Sequence, residues 1–167
     1  MRILQIGRHP AMEMLDAPTP KPGPGQARLR VLGVAACPQW DLHLRHDEPM
    51  FVGHRFFYPY TPGQPGHEAT GIVEEIGDGV MGLAAGDRVS VWRDPGHDVW
   101  GCYAEQVVVD AANVIAVPAE LPPAATASVE LAMCVGATAL LLRDRGGLSG
   151  ARVGVNGLGP AGLVAAQ

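Results

Sequence analysis

One stretch of the chain, residues 65–89, reads PGHEATGIVEEIGDGVMGLAAGDRV and decides how the rest of the sequence is interpreted. It opens on a Pro-Gly pair followed by His67 and Glu68. Two apolar runs then follow, EATGIVEEIG and GDRVSVW, the second extending to Trp92, with glycine turns between them. Short runs of this kind bounded by glycine are typical of β-strands. The stretch therefore predicts two strands, with an imidazole and a carboxylate where the first begins.

The residues on both sides of this stretch extend the strand pattern. RILQI near the N-terminus and ARLRVLGVAA (27–36) alternate as strands do, and YAEQVVVD and NVIAVP predict two more. DAPTPKPGPGQ, between the first two strands, contains too much proline and glycine for regular structure. PQWDLHL after Cys37 predicts a single helical turn, with Pro38 at a tolerated first position. The aromatic stretch RHDEPMFVGHRFFYPYTPGQPG predicts a long loop, which either lines a pocket or buries its rings in the sheet.

The character of the chain changes at Pro122. PPAATASVELAMCVGATALLLRDRGG is rich in Ala and Leu and predicts one broken helix or two consecutive ones, ending at Gly146 and Gly147. Residues 152–156 then predict a short buried strand, residues 157–162 a G-x-G-x-x-G turn, and Leu163 onward a helix. This order is how a dinucleotide-binding domain begins.

Composition and charge limit the class of protein. The chain has 167 residues with 22 Gly and 15 Pro, which favours short strands and turns over a helical bundle. Its formal net charge is −5 and it has no run of Lys or Arg, so we expect no nucleic-acid partner. Neither a signal peptide nor a membrane span is expected. Three widely spaced cysteines argue against a disulfide framework and favour a cytoplasmic protein.

The motif order resembles that of one family. GHEATGIVEEIGDGVMGLAAGDRV matches G-H-E-x-x-G-x-V-x-x-x-G-x-x-V…G-D-R-V, which is similar to the signature of the medium-chain dehydrogenase/reductase family, the zinc alcohol dehydrogenases and their relatives. GCYAEQVVV, the helical connector and GLGPAG continue the resemblance over essentially the whole chain. It implies a mainly β fold with short helices: a GroES-like β-barrel catalytic domain (1–121), a helical connector (122–150) and the first β-turn-α of a Rossmann domain (151–167).

The resemblance implies one catalytic zinc. Its ligands would be Cys37, His67 and Cys134, since three protein ligands leave one position open to an alcohol or carbonyl oxygen. Glu68 would lie beside the metal, and Thr138, four residues after Cys134, would lie close to the nicotinamide. Each residue also has a simpler interpretation: Cys37 and Cys134 as packed thiols, Glu68 as a carboxylate that never touches metal, and Thr138 as a hydroxyl bonded within its own helix.

The first ligand motif departs from the family pattern. The usual spacing is C-x-x-D-x-H, whereas this chain has CPQWDLH, with one extra residue after Cys37. In the family the Asp of this motif braces the metal-binding histidine and the last His relays protons. If Asp41 and His43 keep these roles, the spacing of the motif places Pro38, rather than Cys37, at the cysteine position. Either the loop absorbs the extra residue, or zinc is lost, as in quinone-reductase-like members. The alternative interpretation of His43 is a solvated loop histidine.

Other residues near these motifs receive lesser roles. Glu130 is an alternative third ligand, as in some polyol dehydrogenases, and ranks below Cys134. Cys102 is interpreted as a packing residue and His97 as an exposed turn residue. A second, structural zinc would need four closely spaced cysteines after G-D-R-V, and only Cys102 lies there, so none is expected.

The glycine turn implies a nucleotide site, with NAD or NADP as cofactor. Gly157 permits the tight turn, Gly159 lets the backbone approach a pyrophosphate, and Gly162 lets the helix pack close to its strand. The helix N-terminus then offers N–H groups to phosphate. The residue that distinguishes NAD from NADP would lie about 20 residues further on, beyond this chain. An ordinary glycine-rich turn is the simpler interpretation.

The sequence is consistent with three functions. The first is the catalytic part of a zinc-dependent alcohol or polyol dehydrogenase that transfers a hydride between a small alcohol or carbonyl substrate and nicotinamide, incomplete as it stands. The second is a zinc-free quinone or enoyl reductase of the same family. The third is a non-catalytic GroES-like module that binds metal or a partner. We also expect a homo-oligomer, with the C-terminal residues packing against a second copy.

Overall fold

Strands make up most of the regular structure. The computed structural model describes residues 1–93 and 96–167. The strands are β1 (Arg2–Ile6), β2 (Met12–Asp16), β3 (Gln26–Ala35), β4 (Glu68–Ile76), β5 (Arg88–Val91), β6 (Gln106–Asp110) and β7 (Val114–Ala116). The helices are α1 (Pro38–His46), α2 (Pro123–Thr126), α3 (Val129–Asp144) and α4 (Pro160–Ala165), with a 3₁₀ turn at Ala111–Asn113. The mainly β fold with short helices is confirmed.

Five strands form one antiparallel sheet in the order β6-β3-β4-β5-β7, while β1 and β2 form a two-stranded sheet. The five-stranded sheet is built on the alternation seen in the sequence. Ala27 and Leu29 of β3 are buried. Arg28 and Arg30, which alternate with them, form ion pairs with Glu74 of β4, and Arg28 also pairs with Glu75. A period of two places apolar side chains on one face and charged ones on the other. The buried core contains Ala27, Leu29, Ala69, Val73, Val89, Val91, Cys102, Val107, Val109 and Val114.

The N-terminal hairpin contains a strand that sequence analysis missed. β2 pairs with β1 along its whole length, from Arg2 opposite Asp16 to Ile6 opposite Met12. MEMLD carries little strand signal, and Met12 and Met14 are exposed. β1 is fixed to the rest of the molecule because Ile3 is fully buried and forms a bridge with Ala104. This attachment sets the hairpin beside α1.

The aromatic loop between α1 and β4 has no regular structure, as expected, and its rings divide into two groups. Phe56 and Tyr60 are buried against Leu44 of α1, with Trp40 and Tyr58 packed around them. Phe51 and Phe57 are exposed. The Tyr58 hydroxyl donates to the Leu44 carbonyl oxygen at 3.0 Å, which satisfies one of the last carbonyls of α1. The loop therefore holds α1 in place with about half of its rings.

Buried hydroxyl groups attach α2 to the sheet. The Thr126 hydroxyl donates to Thr70 Oγ1 at 3.0 Å, and Thr70 donates to the Val89 carbonyl oxygen at 2.9 Å. Ser90 donates to the Thr126 carbonyl oxygen at 2.7 Å. The three hydroxyl side chains are almost fully buried. Buried polar groups need partners, and this network supplies them.

The C-terminal residues correct one expectation. Residues 152–156 were expected to form a buried strand, but they are exposed and lie outside both sheets. A parallel strand needs a partner strand and covering helices, and the described part of the chain supplies neither. The helix after the glycine turn does form, as α4, beginning at Pro160 and packing against α3. The predicted β-turn-α is thus only a turn followed by a helix.

One helical stretch, residues 123–144, is long and apolar enough by length and composition to cross a membrane. It includes both α2 and α3. Thr126 and Ala127 in its first part are buried against the sheet, and its second part is largely exposed. The expectation that the chain has no membrane partner stays a prediction.

Candidate functional site

His67 lies where the loop before β4 ends, and one of its ring nitrogens is already in use. Its Nδ1 is 2.6 Å from the Pro65 carbonyl oxygen. A carbonyl oxygen can only accept, so Nδ1 carries the hydrogen and Nε2 keeps its lone pair. The imidazole is 4% exposed. A buried imidazole held through Nδ1 presents Nε2 as a metal ligand.

Three potential ligand atoms converge at this point. The Cys37 sulfur, a His67 ring nitrogen and a Glu68 carboxylate oxygen all lie within 4.8 Å of one another. His67 Nε2 is 3.9 Å from Glu68 Oε1. A tetrahedral zinc with bonds of about 2.0–2.3 Å separates its ligand atoms by roughly 3.3–3.8 Å, so small side-chain rotations would suffice to enclose it. Thiolate, imidazole and carboxylate are all ligands that zinc accepts, and the residues therefore fit this metal.

The extra residue after Cys37 is accommodated at the start of α1. Cys37 is the N-cap residue, in extended conformation, and Pro38 is the first residue of a nine-residue helix rather than of the single turn expected. This position brings the sulfur to His67 and Glu68 despite the altered spacing. Burial raises the pKa of the Cys37 thiol, while the backbone N–H groups of Trp40 and Gln39 act in the opposite direction.

Two carboxyl groups share the site. Burial raises the pKa of Glu68, and the neighbouring His67 partly offsets this. Burial also raises the pKa of Asp41, and His67 again opposes the shift. Asp41 is thus near the imidazole, although it is not one of the three converging groups. Acidic groups kept from water beside an imidazole are a frequent feature of functional sites.

Tyr103 belongs to the same region and was missed by sequence analysis. Its pKa is raised, first by burial and then by the negative charges of Asp41, Cys37 and Glu68. Its backbone packs so closely on Gly66 that a Cβ there would lie 2.6 Å from the Tyr103 nitrogen. Nothing in the local sequence GCYAEQ marks this contact, because it joins residues 37 positions apart.

Cys134 and Thr138 lie on α3, outside the group of three. The Cys134 thiol is exposed and donates to Glu130 Oε1 at 3.2 Å. Partial burial of the sulfur and this carboxylate raise the pKa of Cys134 to about 11, with smaller contributions from Glu68 and Cys37. The Thr138 hydroxyl donates to the Cys134 carbonyl oxygen at 3.1 Å. Both residues keep their assigned roles only as predictions.

His43 lies in the last turn of α1. Its Nδ1 is 3.0 Å from the Glu48 carbonyl oxygen, so Nδ1 carries the hydrogen, and Nε2 is 3.3 Å from the Gln39 amide nitrogen, which donates to it. His43 therefore makes two local hydrogen bonds. It does not belong to the three converging groups.

His97 is not the exposed turn residue expected. Its ring lies 3.7 Å from the Trp40 ring, centroid to centroid, and its Nδ1 is 2.7 Å from the Tyr60 hydroxyl. His54 meets the edge of Trp40 at 5.7 Å. The sequence gives no periodic signal for this cluster, because its members come from a helix, a long loop and the turn after β5.

The glycine turn contains two positions that require glycine. Gly157 has a φ of +121°, and a Cβ on Gly162 would collide with the Gly157 carbonyl oxygen. Gly159 is the N-cap of α4, and a Cβ there would meet nothing within 4 Å. Gly157 and Gly162 thus lie where a larger residue would be strained or would collide, and use of the turn by a cofactor stays a prediction.

Comparison with solved structures shows the same fold. The chain matches galactitol-1-phosphate dehydrogenase from Escherichia coli with a TM-score of 0.74 and 22% identity, over 99% of this chain and 51% of that one. It matches 2R,3R-butanediol dehydrogenase from Bacillus subtilis with a TM-score of 0.68 and 25% identity, over 98% and 53%.

Comparison with curated sequences gives related proteins. L-threonine 3-dehydrogenase of Pyrococcus horikoshii is 33% identical over 175 residues, which cover 91% of this chain and 47% of that protein. An alcohol dehydrogenase of Geobacillus stearothermophilus is 29% identical over 93% of this chain and 50% of its own length. The chain spans about half the length of these relatives. Residues 23–119 match the family model of the alcohol dehydrogenase GroES-like domain, and the chain accordingly belongs to the medium-chain alcohol dehydrogenase family.

Proposed function

We propose that this chain provides the zinc-binding catalytic part of an NAD(P)-dependent alcohol dehydrogenase. The observation that carries the proposal is the convergence of Cys37, His67 and Glu68, with His67 Nδ1 bonded to the Pro65 carbonyl oxygen. This arrangement leaves a thiol, an imidazole lone pair and a carboxylate directed at one point. Cys134, whose sulfur is close enough for the charges of Cys37 and Glu68 to raise its pKa, would be the third ligand after Cys37 and His67, with Glu68 beside the metal.

Zinc, when bound, would act as a Lewis acid that polarises the oxygen of an alcohol or carbonyl substrate. The chain's own residues would orient the ligands. The Pro65 carbonyl fixes the His67 ring, and the N–H groups at the start of α1 favour the Cys37 thiolate. Asp41 of α1 would act on the imidazole through its charge rather than through a hydrogen bond. His43 would receive a proton at Nε2 near the substrate, with its hydrogen bond from the Gln39 amide released.

The substrate and cofactor follow from the family. Dehydrogenases of threonine, alcohols and butanediol are among its relatives, so we propose a small alcohol or carbonyl substrate. Related structures contain NADH or NADP, which supports NAD or NADP as the cofactor. Thr138, Gly157, Gly159 and Gly162 would contact it. A cytoplasmic homo-oligomer with one zinc per chain, and no structural zinc, completes the proposal.

Metal content tests the proposal directly. Protein purified without added metal should contain close to one zinc per chain, and replacing zinc with Co²⁺ should give the absorption of a thiolate-ligated tetrahedral site. His67→Ala and Cys37→Ser should both abolish stoichiometric binding. His46→Ala, which removes an exposed histidine at the end of α1, is the control. Zinc retained in His67→Ala, or absent from the wild type, would reject the proposed centre.

A zinc-free reductase of the same family is the second candidate. It is favoured by the altered cysteine spacing and by the position of Cys134, which donates to Glu130 and lies outside the three converging groups. Two further variants separate the possibilities. Cys134→Ser should weaken zinc binding if the Cys134 thiol is the third ligand. Glu130→Gln should weaken it if the Glu130 carboxylate is the third ligand. A wild-type protein that binds no zinc, but folds normally, would favour the reductase.

A further inference from the structure

A cleft of about 450 Å³ lies between the N-terminal hairpin and α1. Its walls are aliphatic, formed by Leu4 and Ile6 of β1 and Leu44 of α1. Its volume falls within the range of small-molecule sites, about 300–1,000 Å³. Four residues with polar side chains also line it: Asp41, Tyr103, His9 and Arg45.

The Asp41 carboxylate has hydrogen-bonding capacity that the surrounding protein leaves unused. Within residues 1–93 and 96–167 it makes no hydrogen bond or ion pair, although His67 is near enough to act on its charge. It is half-buried and lines the cleft, so that part of its hydration is lost. A partly desolvated carboxylate of this kind gains from a cationic partner that donates hydrogen bonds.

The Tyr103 hydroxyl adds a second polar group at the same end. It is close enough to Asp41 for the carboxylate to raise its pKa, yet the structure contains no hydrogen bond between the two side chains in the described part of the chain. Both are therefore available to a group placed between them. The aliphatic walls formed by Leu4, Ile6 and Leu44 would surround the rest of such a ligand.

We propose that this cleft binds a guanidinium or ammonium group carried on a short aliphatic stem, with the cation between Asp41 and Tyr103 and the stem against Leu4, Ile6 and Leu44. The site shares Asp41 with the surroundings of the candidate metal centre, but it needs no metal and so does not depend on the proposed function. Because the charge of Asp41 acts on His67, a cation bound to Asp41 would change the electrostatic environment of the candidate metal centre.

The rim of the cleft modifies this preference. Arg45, one helical turn after Asp41 on α1, is exposed at the entrance. A like charge at this distance repels a cation weakly in water, so we expect Arg45→Gln to strengthen binding by about twofold. A ligand whose negative charge contacts Arg45 would instead bind more weakly to this variant. That result would overturn the proposal that the cleft binds a cation.

The test uses the full 167-residue chain, stripped of metal, and two ligands of the same shape. n-Butylguanidinium is the cation and N-butylurea its neutral counterpart. Titration followed by NMR should shift the signals of Leu4, Ile6, Leu44 and Tyr103, with millimolar affinity and about a tenfold preference for the cation. Equal affinity for the two ligands, or shifts confined to other residues, would overturn the proposal. This comparison requires no variant and remains informative if one fails to fold.

Two further measurements test whether Asp41 is the group that binds the cation and whether the cation belongs to a polypeptide or to a small molecule. Asp41→Asn should abolish the preference for the cation, whereas Glu48→Gln, which removes an exposed carboxylate beyond the end of α1, should leave it unchanged. The preference surviving in Asp41→Asn would also overturn the proposal. An acetyl-Ala-Arg-Ala-amide peptide separates the sources: tighter binding than butylguanidinium indicates a polypeptide side chain, and weaker binding indicates a free small cation.

Discussion

The sheet body (residues 1–127) and the C-terminal segment (residues 129–167) are both rich in apolar residues, but only the first buries them. The main core belongs entirely to the sheet body, while no residue of the C-terminal segment is buried. Leu140, Leu141 and Leu142 are about half exposed, and Leu158 is 89% exposed. An apolar sequence therefore predicts that a face will be covered, but not which other residues cover it.

This difference affects the candidate sites in the two regions. Cys37, His67 and Glu68 are held by α1, β4 and the loop before β4, all anchored in the sheet body. Cys134 and the glycine turn lie on the C-terminal segment, where no core fixes their position. A site built on rigid elements can be precise, whereas one on weakly packed elements depends on further contacts.

The largest expected effect comes from a matched pair of leucines. Leu29 is 1% exposed in the sheet body, and Leu141 is 52% exposed on α3. Leu29→Ala leaves a cavity and should lower the free energy of unfolding by about 2–5 kcal/mol. Leu141→Ala should change it by no more than about 0.5 kcal/mol. Urea unfolding of both variants measures this, and similar losses would show that the two regions are equally packed.

A second pair tests where the sheet body ends. Thr126 of α2 is buried and donates to Thr70, whereas Thr138 of α3 is exposed and bonds within its own helix. Thr→Val keeps the shape and removes the hydroxyl. Thr126→Val should cost about 1 kcal/mol, because a buried network loses its donor, and Thr138→Val only a few tenths. The same urea experiment measures both. Equal effects would mean that α2 is no better attached than α3.

Sequence analysis predicted the sheet body well because its strands carry their own signal. The first half of β3 alternates between buried and more exposed residues, and glycines mark the turns between β4 and β5. β2 was missed because Met12 and Met14 are exposed, so that the hairpin depends on pairing with β1 rather than on burial. The strand at 152–156 was wrong for the opposite reason: VGV is apolar, but a parallel strand forms only beside a partner.

The candidate site was predicted unevenly for a similar reason. His67 and Glu68 belong to one local motif, and the structure brings Cys37 to them although its spacing departs from the family pattern. Tyr103 and the contact of His97 with Trp40 were not predicted, because both depend on long-range packing between loops. Local motifs thus reveal residues that carry chemistry, whereas the residues that surround them become visible only in three dimensions.

The smallest predicted effect concerns the stability cost of the site itself. Burial raises the pKa of Glu68 above its ordinary value of 4.5, so the folded chain binds that proton more tightly than the unfolded chain does. In metal-free protein this contribution favours folding at low pH and is lost as the pH rises from about 4.5 through the raised pKa. At neutral pH the ionised carboxylate is therefore a burden on the fold.

Glu68→Gln removes that burden and should make the metal-free chain more stable at pH 7, with the gain shrinking as the pH falls toward 4.5. Urea unfolding in the presence of a chelator, repeated between pH 4.5 and pH 7.5, measures the difference from the wild type. Glu48→Gln, which removes an exposed carboxylate, is the control. A gain independent of pH would mean that the amide stabilises through packing alone, and a loss at pH 7 would mean that the ionised form is compensated within the cluster. A gain that grows with pH would instead show that the sheet body, unlike the exposed C-terminal segment, maintains a buried charge at a cost, as expected where a site is selected for ligand binding rather than for stability.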